Sequence, residues 1–594
     1  MSNPADQAVR QEALDASRSF IVQAPAGSGK TELLVQRYLK LLGRVEHPDS
    51  VLAITFTRKA AAEMRERVAE NLRGSVDDWQ EAPPHRKVSL KLAQQVLEQS
   101  RALGWDLLDN PARLRIITID ALGSWLAASA PVSSGGGALG GVMENAETMY
   151  AEAARALLRD GISNADPDVR IVLRHLDGQG ARFARLIADM LKRRDQWAPL
   201  LAERLDPEPL NRWLGALRQS DIAELLESLG QHRPAFEEAL DLPRDLQAAG
   251  TTDWGELTKG VLTAKGDLRK RGQRLPEGGV RDAVGESSDV RGRLQRIARL
   301  DRPAYSRESL LLVQAVLAVL RRAYGYLLEL FSEQRKTDYI EISRAALEAL
   351  GSDDFPSLLA ERLDARLRHI LVDEFQDTSA TQLKLLERMV EEWQQGDGRT
   401  LFMVGDPMQS IYGFRQADVR GYLQVREHGL AALRPTLLRL KVNFRSTPGL
   451  VAWHNRVFPD VFPEREDPLT AAIPYTPSQS AAGQSEEHPE ISTHFHAKGD
   501  DEDEARIVED IIVKAHKRNP EGEIAILVRS RARGEEISRR LAHSDKLAKA
   551  GIAVSRTEFD PRGRFRVVPD MAALARALAE LAAGRAGRGV LAAR

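Results

Sequence analysis

Two short stretches carry residues whose types and spacing point to phosphate chemistry. FIVQAPAGSGKT, residues 20–31, reads as an apolar strand, a glycine-rich turn and a helix start, a geometry that turns backbone N–H groups toward a triphosphate. Its candidate cradle is Ala24, Pro25, Ala26, Gly27, Ser28, Gly29, Lys30 and Thr31. The glycines permit an approach that a Cβ would obstruct. Lys30 is placed to neutralise β- and γ-phosphates and the Thr31 hydroxyl to ligate Mg²⁺. The strict pattern has glycine where this chain has Ala24, but the GSGKT core is intact. ILVDEFQDTS, residues 370–379, is an apolar strand ending in adjacent carboxylates. Asp373 is expected to hold Mg²⁺ through water, and Glu374 to polarise the attacking water as a base. Asp377 is expected to cap the helix that begins near Ala380. Together the two stretches predict ATP binding with Mg²⁺, and ATP hydrolysis.

Three further segments bear on what the hydrolysis drives. ITFTRKAAAEMRERV, residues 54–68, sets Phe56, Thr57 and Arg58 at a strand end before a strong helix. VGDPMQSIYGFRQAD, residues 404–418, joins Gln409, Tyr412, Phe414 and Arg415 in one loop, and LKVNFRST, residues 440–447, contains Phe444 and Arg445. The first two put hydroxyls, ring faces and cations on the same edge of a sheet, a workable surface for single-stranded nucleic acid. Taken singly, Tyr412 and Phe414 suit a core equally well, and Arg415 a surface ion pair. Their order is the specific feature.

The elements that must position these residues form an α/β pattern interrupted once. Strands are expected at 19–22, 50–55 and 114–119, then again at 369–372 and 400–404, the layout of one parallel sheet split by an insertion. The expected divisions are 1–125 and 336–432 for the two parts of the ATP-binding domain, 126–335 for a helical insertion, and 433–594 for a second, incomplete α/β domain. In the last, strands are expected at 436–442 and 523–528, with a mobile loop near 476–504. The apolar run 310–320 contains Gln314 and precedes Arg321 and Arg322, so it reads as a buried helix and not a membrane span. A net charge of −2 gives no global basic signature, so any nucleic-acid contact must come from local grooves. The chain has no cysteine, which excludes disulfides, thiolate chemistry and Cys-ligated metals. With a polar N-terminus that lacks a signal-peptide layout, this predicts a soluble cytoplasmic protein without a membrane partner.

The ordered set APAGSGKT, TFTRKAAAEM, TIDALGSWL, LVDEFQDTS, VGDPMQSIYGFR and LKVNFRST resembles the UvrD/Rep/PcrA group of superfamily 1 DNA helicases. VQAPAGSGKT and TIDAL look closer to the RecB and AddA branch, the motor subunits of recombination nucleases. The likeness implies a P-loop NTPase with a RecA-like parallel sheet, a large helical insertion and a second RecA-like domain. It also implies ATP-driven 3′→5′ movement on single-stranded DNA or from duplex ends, in repair or recombination, with a recombination-nuclease protein as partner. By the same likeness Gln409 senses the γ-phosphate, while Tyr412, Phe414 and Arg415 lie against the strand. Arg445 reaches the γ-phosphate as an arginine finger, and Phe444 stacks on adenine. Phe56, Thr57 and Arg58 touch DNA. Gln7 and Gln11 both stand near the position of an adenine-reading glutamine, with Gln7 favoured. Arg182, Arg185, Arg193 and Arg194 of the insertion are candidate phosphate contacts.

Two later motifs of that group have no counterpart: THFHAKGDD at 493–501 and SRTE at 555–558 do not match them. His494 and His496 read as exposed loop residues. The second motor lobe is therefore expected to be incomplete, and no nuclease carboxylate cluster is visible. A competing reading is an ATP-binding protein that binds DNA or serves assembly and does not unwind. A third, a P-loop enzyme acting on a small molecule, is disfavoured by segments 54–68 and 404–415.

Overall fold

A computed structural model describes residues 4–74, 84–129, 140–143, 146–198, 207–242, 254–263, 288–299, 307–351, 357–411, 417–464, 471–481, 501–528 and 530–554, with a few single residues between them. Among the described residues ten strands are formed: β1 (Phe20–Gln23), β2 (Val51–Thr55), β3 (Arg115–Thr118), β4 (Gly141–Val142), β5 (Lys336–Thr337), β6 (His369–Val372), β7 (Thr400–Gly405), β8 (Thr436–Arg439), β9 (Val442–Asn443) and β10 (Gln479–Ser480). Six of them make one sheet in the order β3-β2-β6-β7-β1-β8, parallel throughout.

Helices cover this sheet on both faces, which is why its strands read as unbroken apolar runs. Phe20, Val22, Ala53, Leu371, Phe402 and Val404 share a core with α2 (Lys30–Leu42), α3 (Arg58–Gly74) and α4 (Pro84–Ala102). Ile21, Leu52, Ile54, Ile370, Val372 and Met403 point the other way, into a core with α5 (Ile119–Ser129) and helices Tyr339–Leu350, Ala380–Met389 and Val419–His428. The buried Arg37 guanidinium ties the chain before β1 to this frame. It donates to the carbonyls of Ala13 and Arg18 and lies 5.2 Å from the Phe402 ring centre. Burial brings its pKa down to about 9.

The insertion leaves after α5 and returns before helix Tyr339–Leu350, and these two helices pack on one another. Close to the junction β4 pairs with β5. Helices Glu147–Ser163, Pro167–His175, Gly180–Leu191 and Arg307–Gln334 bury Tyr150, Phe183, Val319 and Leu327 in one core, and Ile222, Phe236, Trp254, Leu257 and Leu294 belong to a second. Helix Arg307–Gln334 is long and apolar enough to cross a membrane; here Ala315, Val319, Ala323 and Leu327 face its helical neighbours. Arg182, Arg185 and Arg193 are exposed. Arg194 is not available for phosphate: its guanidinium is buried between Asp338, at 2.5 Å, and Glu341, at 3.4 Å. Burial opposes its charge, but the two carboxylates outweigh that and raise its pKa above the ordinary value.

Beyond β7 the structure departs from the expected divisions. Residues 436–439, expected to open the second lobe, form β8 and close the first sheet against β1, because β1 would otherwise present an unpaired edge. Most of the expected mobile loop, between 482 and 500, lies outside the described residues; at its ends Gln479–Ser480 is a strand pairing with β9, and helix Asp501–Arg518 begins before residue 504. The chain divides into two compact units, Met1–Pro489 and Glu490–Arg594. In the second, helices Asp501–Arg518, Arg531–Ala542 and Asp545–Lys549 enclose Ala505, Ile512, Ile537, Leu541 and Leu547. Residues 523–528 are not a strand; Leu527 is 95% exposed, and no described strand of this unit pairs with its backbone.

Candidate nucleotide site at the carboxyl edge of the sheet

β1 runs fully buried into the glycine-rich turn and releases the chain at α2. Gly27 and Gly29 both have φ +75°, the left-handed region that a Cβ disfavours. Gly29 caps α2, so the first N–H groups of that helix, which lack intrahelical acceptors, face the turn. Ser28 Oγ is buried and meets no partner among the described residues. An unfilled buried hydroxyl, two left-handed glycines and a helix start fit a polyphosphate.

The acid pair arrives from β6, separated from β1 by β7. Lys30 Nζ donates to Glu374 Oε2 at 2.5 Å, joining residues 344 positions apart. Glu374 itself has φ +50°, an uncommon conformation for a non-glycine residue. Burial, then the charge of Glu374, lifts the Asp373 carboxyl to about 6, and the same two causes lift Asp377 to about 6. Burial also raises Asp406, at the end of β7. Carboxyls held this high are poorly solvated as anions, so a cation near Asp373 and Thr31 suits the donor set. Asp377 does not cap the following helix. Ser379 does, through a reciprocal capping box with Gln382, and Asp377 is buried behind Glu374 with one oxygen unpartnered among the described residues.

A third wall comes from β9 and the residues after it. The Phe444 N–H donates to the Gly27 carbonyl at 2.8 Å, and Asn443 Oδ1 accepts from the N–H groups of Arg445 and Ser446. The helix α1 (Gln7–Glu12) reaches the same place. Arg10 donates to Asp6 at 2.8 Å and to the Ser28 carbonyl at 2.7 Å, and its guanidinium lies 5.1 Å from the Phe444 ring centre. Asp6 accepts the N–H groups of Lys441 and Val442. Although burial opposes it, Arg10 and these two donors hold the Asp6 carboxyl below its ordinary value.

The residues singled out from the sequence therefore fall as follows. Ala24 and Pro25 are buried, Ala26 is exposed, and Lys30 and Glu374 meet at one sheet edge, with Asp373 within reach of the Lys30 charge and Thr31 next to Lys30 at the start of α2. Gln7 is half-buried on α1 and Gln11 exposed. Phe444 is 51% exposed and Arg445 is exposed, beside Gly27. Gln409 follows β7, its amide donating to Asp406 at 2.5 Å. Phe56, Thr57 and Arg58 follow β2 on the same edge, and the Thr57 hydroxyl accepts from the Ala60 N–H at the start of α3. Tyr412, Phe414 and Arg415 lie outside the described residues, as does His496; His494 is exposed. Sequence reasoning missed Asp6, Arg10 and Gln376. The i,i+4 pair Asp6/Arg10 just ahead of the phosphate strand was the available signal for the first two.

Comparison with known proteins matches this arrangement. Residues 5–429, well over half of the chain, match the family described as UvrD/REP helicase N-terminal domain. The ATP-dependent helicase/nuclease subunit of Moorella thermoacetica is 27% identical over 532 residues, covering 78% of this chain and 35% of that relative. The protein of the same name from Levilactobacillus brevis is 29% identical over 514 residues, covering 76% and 38%, and that from Lactobacillus acidophilus is 24% identical over 504 residues, covering 76% and 40%. The chain thus spans between 35% and 40% of the length of these curated relatives. With a parallel sheet whose carboxyl edge gathers the glycine-rich turn, the acid pair and the β2 and β7 ends, and with that match over residues 5–429, the chain belongs to the UvrD/REP helicase N-terminal domain family.

Proposed function

We propose that this protein is the motor part of an ATP-dependent DNA helicase or translocase, working on single-stranded DNA or duplex ends in repair or recombination, in the 3′→5′ direction. The observation that carries the reading is the meeting of Lys30 and Glu374 at 2.5 Å, on the sheet edge that also presents the ends of β2 and β7. ATP with Mg²⁺ supplies the driving phosphoryl transfer. Residues Ala24 to Thr31 cradle the phosphates, Lys30 offsets their charge, and Thr31 and Asp373 hold the metal. Glu374 orients and deprotonates water, Gln409 reads the γ-phosphate, and Arg445 serves as the arginine finger. Phe444 stacks on the base and Gln7 reads its edge. Phe56, Thr57 and Arg58, with Tyr412, Phe414 and Arg415, grip the strand. The relatives are named as helicase/nuclease subunits, which supports a nuclease protein as partner, and the family supports action in the cytoplasm.

The test is ATP turnover with and without single-stranded oligonucleotide. Stimulation by the oligonucleotide is expected; equal turnover in its presence and absence refutes the reading. A second reading is ATP-dependent DNA binding without unwinding. It is recognised by nucleotide-dependent oligonucleotide binding with no strand separation.

A further inference from the structure

Gln376 is 1% exposed, and both ends of its carboxamide are engaged. Its Oε1 accepts from the Asp406 N–H at 2.9 Å, and its Nε2 donates to Glu374 Oε2 at 2.8 Å. The orientation is forced, since a backbone N–H can only donate and so must face the amide oxygen. The NH₂ group is thereby aimed at Glu374. Gly405 makes room for this: a Cβ there would stand 2.4 Å from Gln376 Oε1. Asp406 in turn accepts from Gln409, and the Ser410 hydroxyl donates to the Gln376 carbonyl at 3.4 Å. One buried side chain thus joins the loop after β7 to the carboxylate that Lys30 holds, beside a Glu374 backbone that sits in the left-handed region.

We propose that Gln376 is a positioning residue that transmits the state of the loop after β7 to Glu374. This rests on the reading of Glu374 as the base that activates water. A shift of Asp406 moves the acceptor end of the amide, and the donor end then reorients the carboxylate. Because such coupling is reciprocal, oligonucleotide held near that loop and nucleotide held near Lys30 affect one another through this amide.

The test compares wild type, Gln376→Ala and Gly405→Ala. Gly405→Ala keeps the glutamine and displaces its amide, with a lesser approach of the new Cβ to the Gln376 and Phe375 backbone nitrogens at 3.2 and 3.3 Å, so it serves where Gln376→Ala fails to fold. ATP turnover is measured with and without an oligothymidylate, together with the KM for ATP and the oligonucleotide Kd. Expected is a loss of oligonucleotide stimulation of about tenfold, while KM and Kd move by less than about threefold. Full stimulation in a folded variant overturns the proposal, as does a parallel loss of KM and Kd, which marks a merely structural role. A wild type that ignores oligonucleotide instead defeats the motor reading itself, so the two failures are told apart.

Discussion

Replacing Gly27 with alanine tests whether the glycine-rich turn keeps its shape by leaning on the residues from Asn443 onward. At φ +75° an L side chain costs about 1–2 kcal/mol. The new Cβ would stand 2.6 Å from Asn443 Oδ1 and 2.9 Å from Arg445 Cβ, closer than real contacts allow. Asn443 can yield only by giving up the N–H groups of Arg445 and Ser446, at about 1 kcal/mol each. The sum is about 3–4 kcal/mol; where the free turn relaxes and nucleotide must restore its shape, the affinity falls by up to that amount, about 100-fold at 1.4 kcal/mol per decade for the lower figure. The assay is titration with a fluorescent ATP analogue, with thermal unfolding to confirm a folded protein. Asn443→Ala alone removes the same two bonds and costs about 2 kcal/mol. In the double variant that part is already lost, so the combined effect falls short of the sum of the two by about 2 kcal/mol. Affinity within about threefold of wild type for Gly27→Ala, or strict additivity in the cycle, refutes the reasoning.

Three further outcomes are expected. Lys30→Ala abolishes ATP turnover by removing the cation between the turn and Glu374; wild-type turnover in that variant defeats the phosphate-site assignment. His369 is buried, and burial, followed by Arg37, Arg368 and Arg44, lowers its pKa to about 4. The unfolded chain binds this proton more readily, so stability present above about pH 6.5 is lost as pH falls toward 4, by about 2 kcal/mol at pH 5. Denaturant melts at pH 8 and pH 5 measure it, and His369→Gln should flatten that difference. Ser379→Ala removes the capping box of helix Ala380–Met389 and lowers stability by about 1 kcal/mol in the same melts, whereas equal stability would show that the cap lies elsewhere.

The strands that sit deep in the sheet were the easiest part to read. β6 lies between β2 and β7 with every residue buried, so residues 370–372, after His369, carry a continuous apolar signal. Which sheet a strand joins is a different matter. Residues 436–439 alternate little and could pair anywhere; they complete the first sheet because β1 has a free edge there. The assignment of the helix cap to Asp377 overlooked a local signal that was present, Ser379 with Gln382 three residues on. Arg194 had no local signal at all, because its partners Asp338 and Glu341 lie 144 and 147 positions away, beyond the end of the insertion that holds it.

Residues that do chemistry are easier to find in a sequence than residues that hold it in place. Lys30, Asp373 and Glu374 stand out in a sequence because their kind is restricted: a phosphate needs a cation and a metal needs carboxylates. Gln376 and Arg10 act through geometry, one meeting the Asp406 N–H 30 positions away and the other the Ser28 carbonyl 18 positions away. A backbone group carries no residue identity, so no spacing of residue types announces such a partner. The glycines come closest to doing so. Gly405 has no Cβ where Gln376 needs its space, and Gly27 none where Asn443 needs its own. In this fold, a glycine at the end of a buried strand or in the phosphate turn records the side chain that fills the space beside it, and reading the pair together recovers part of what motif spacing leaves out.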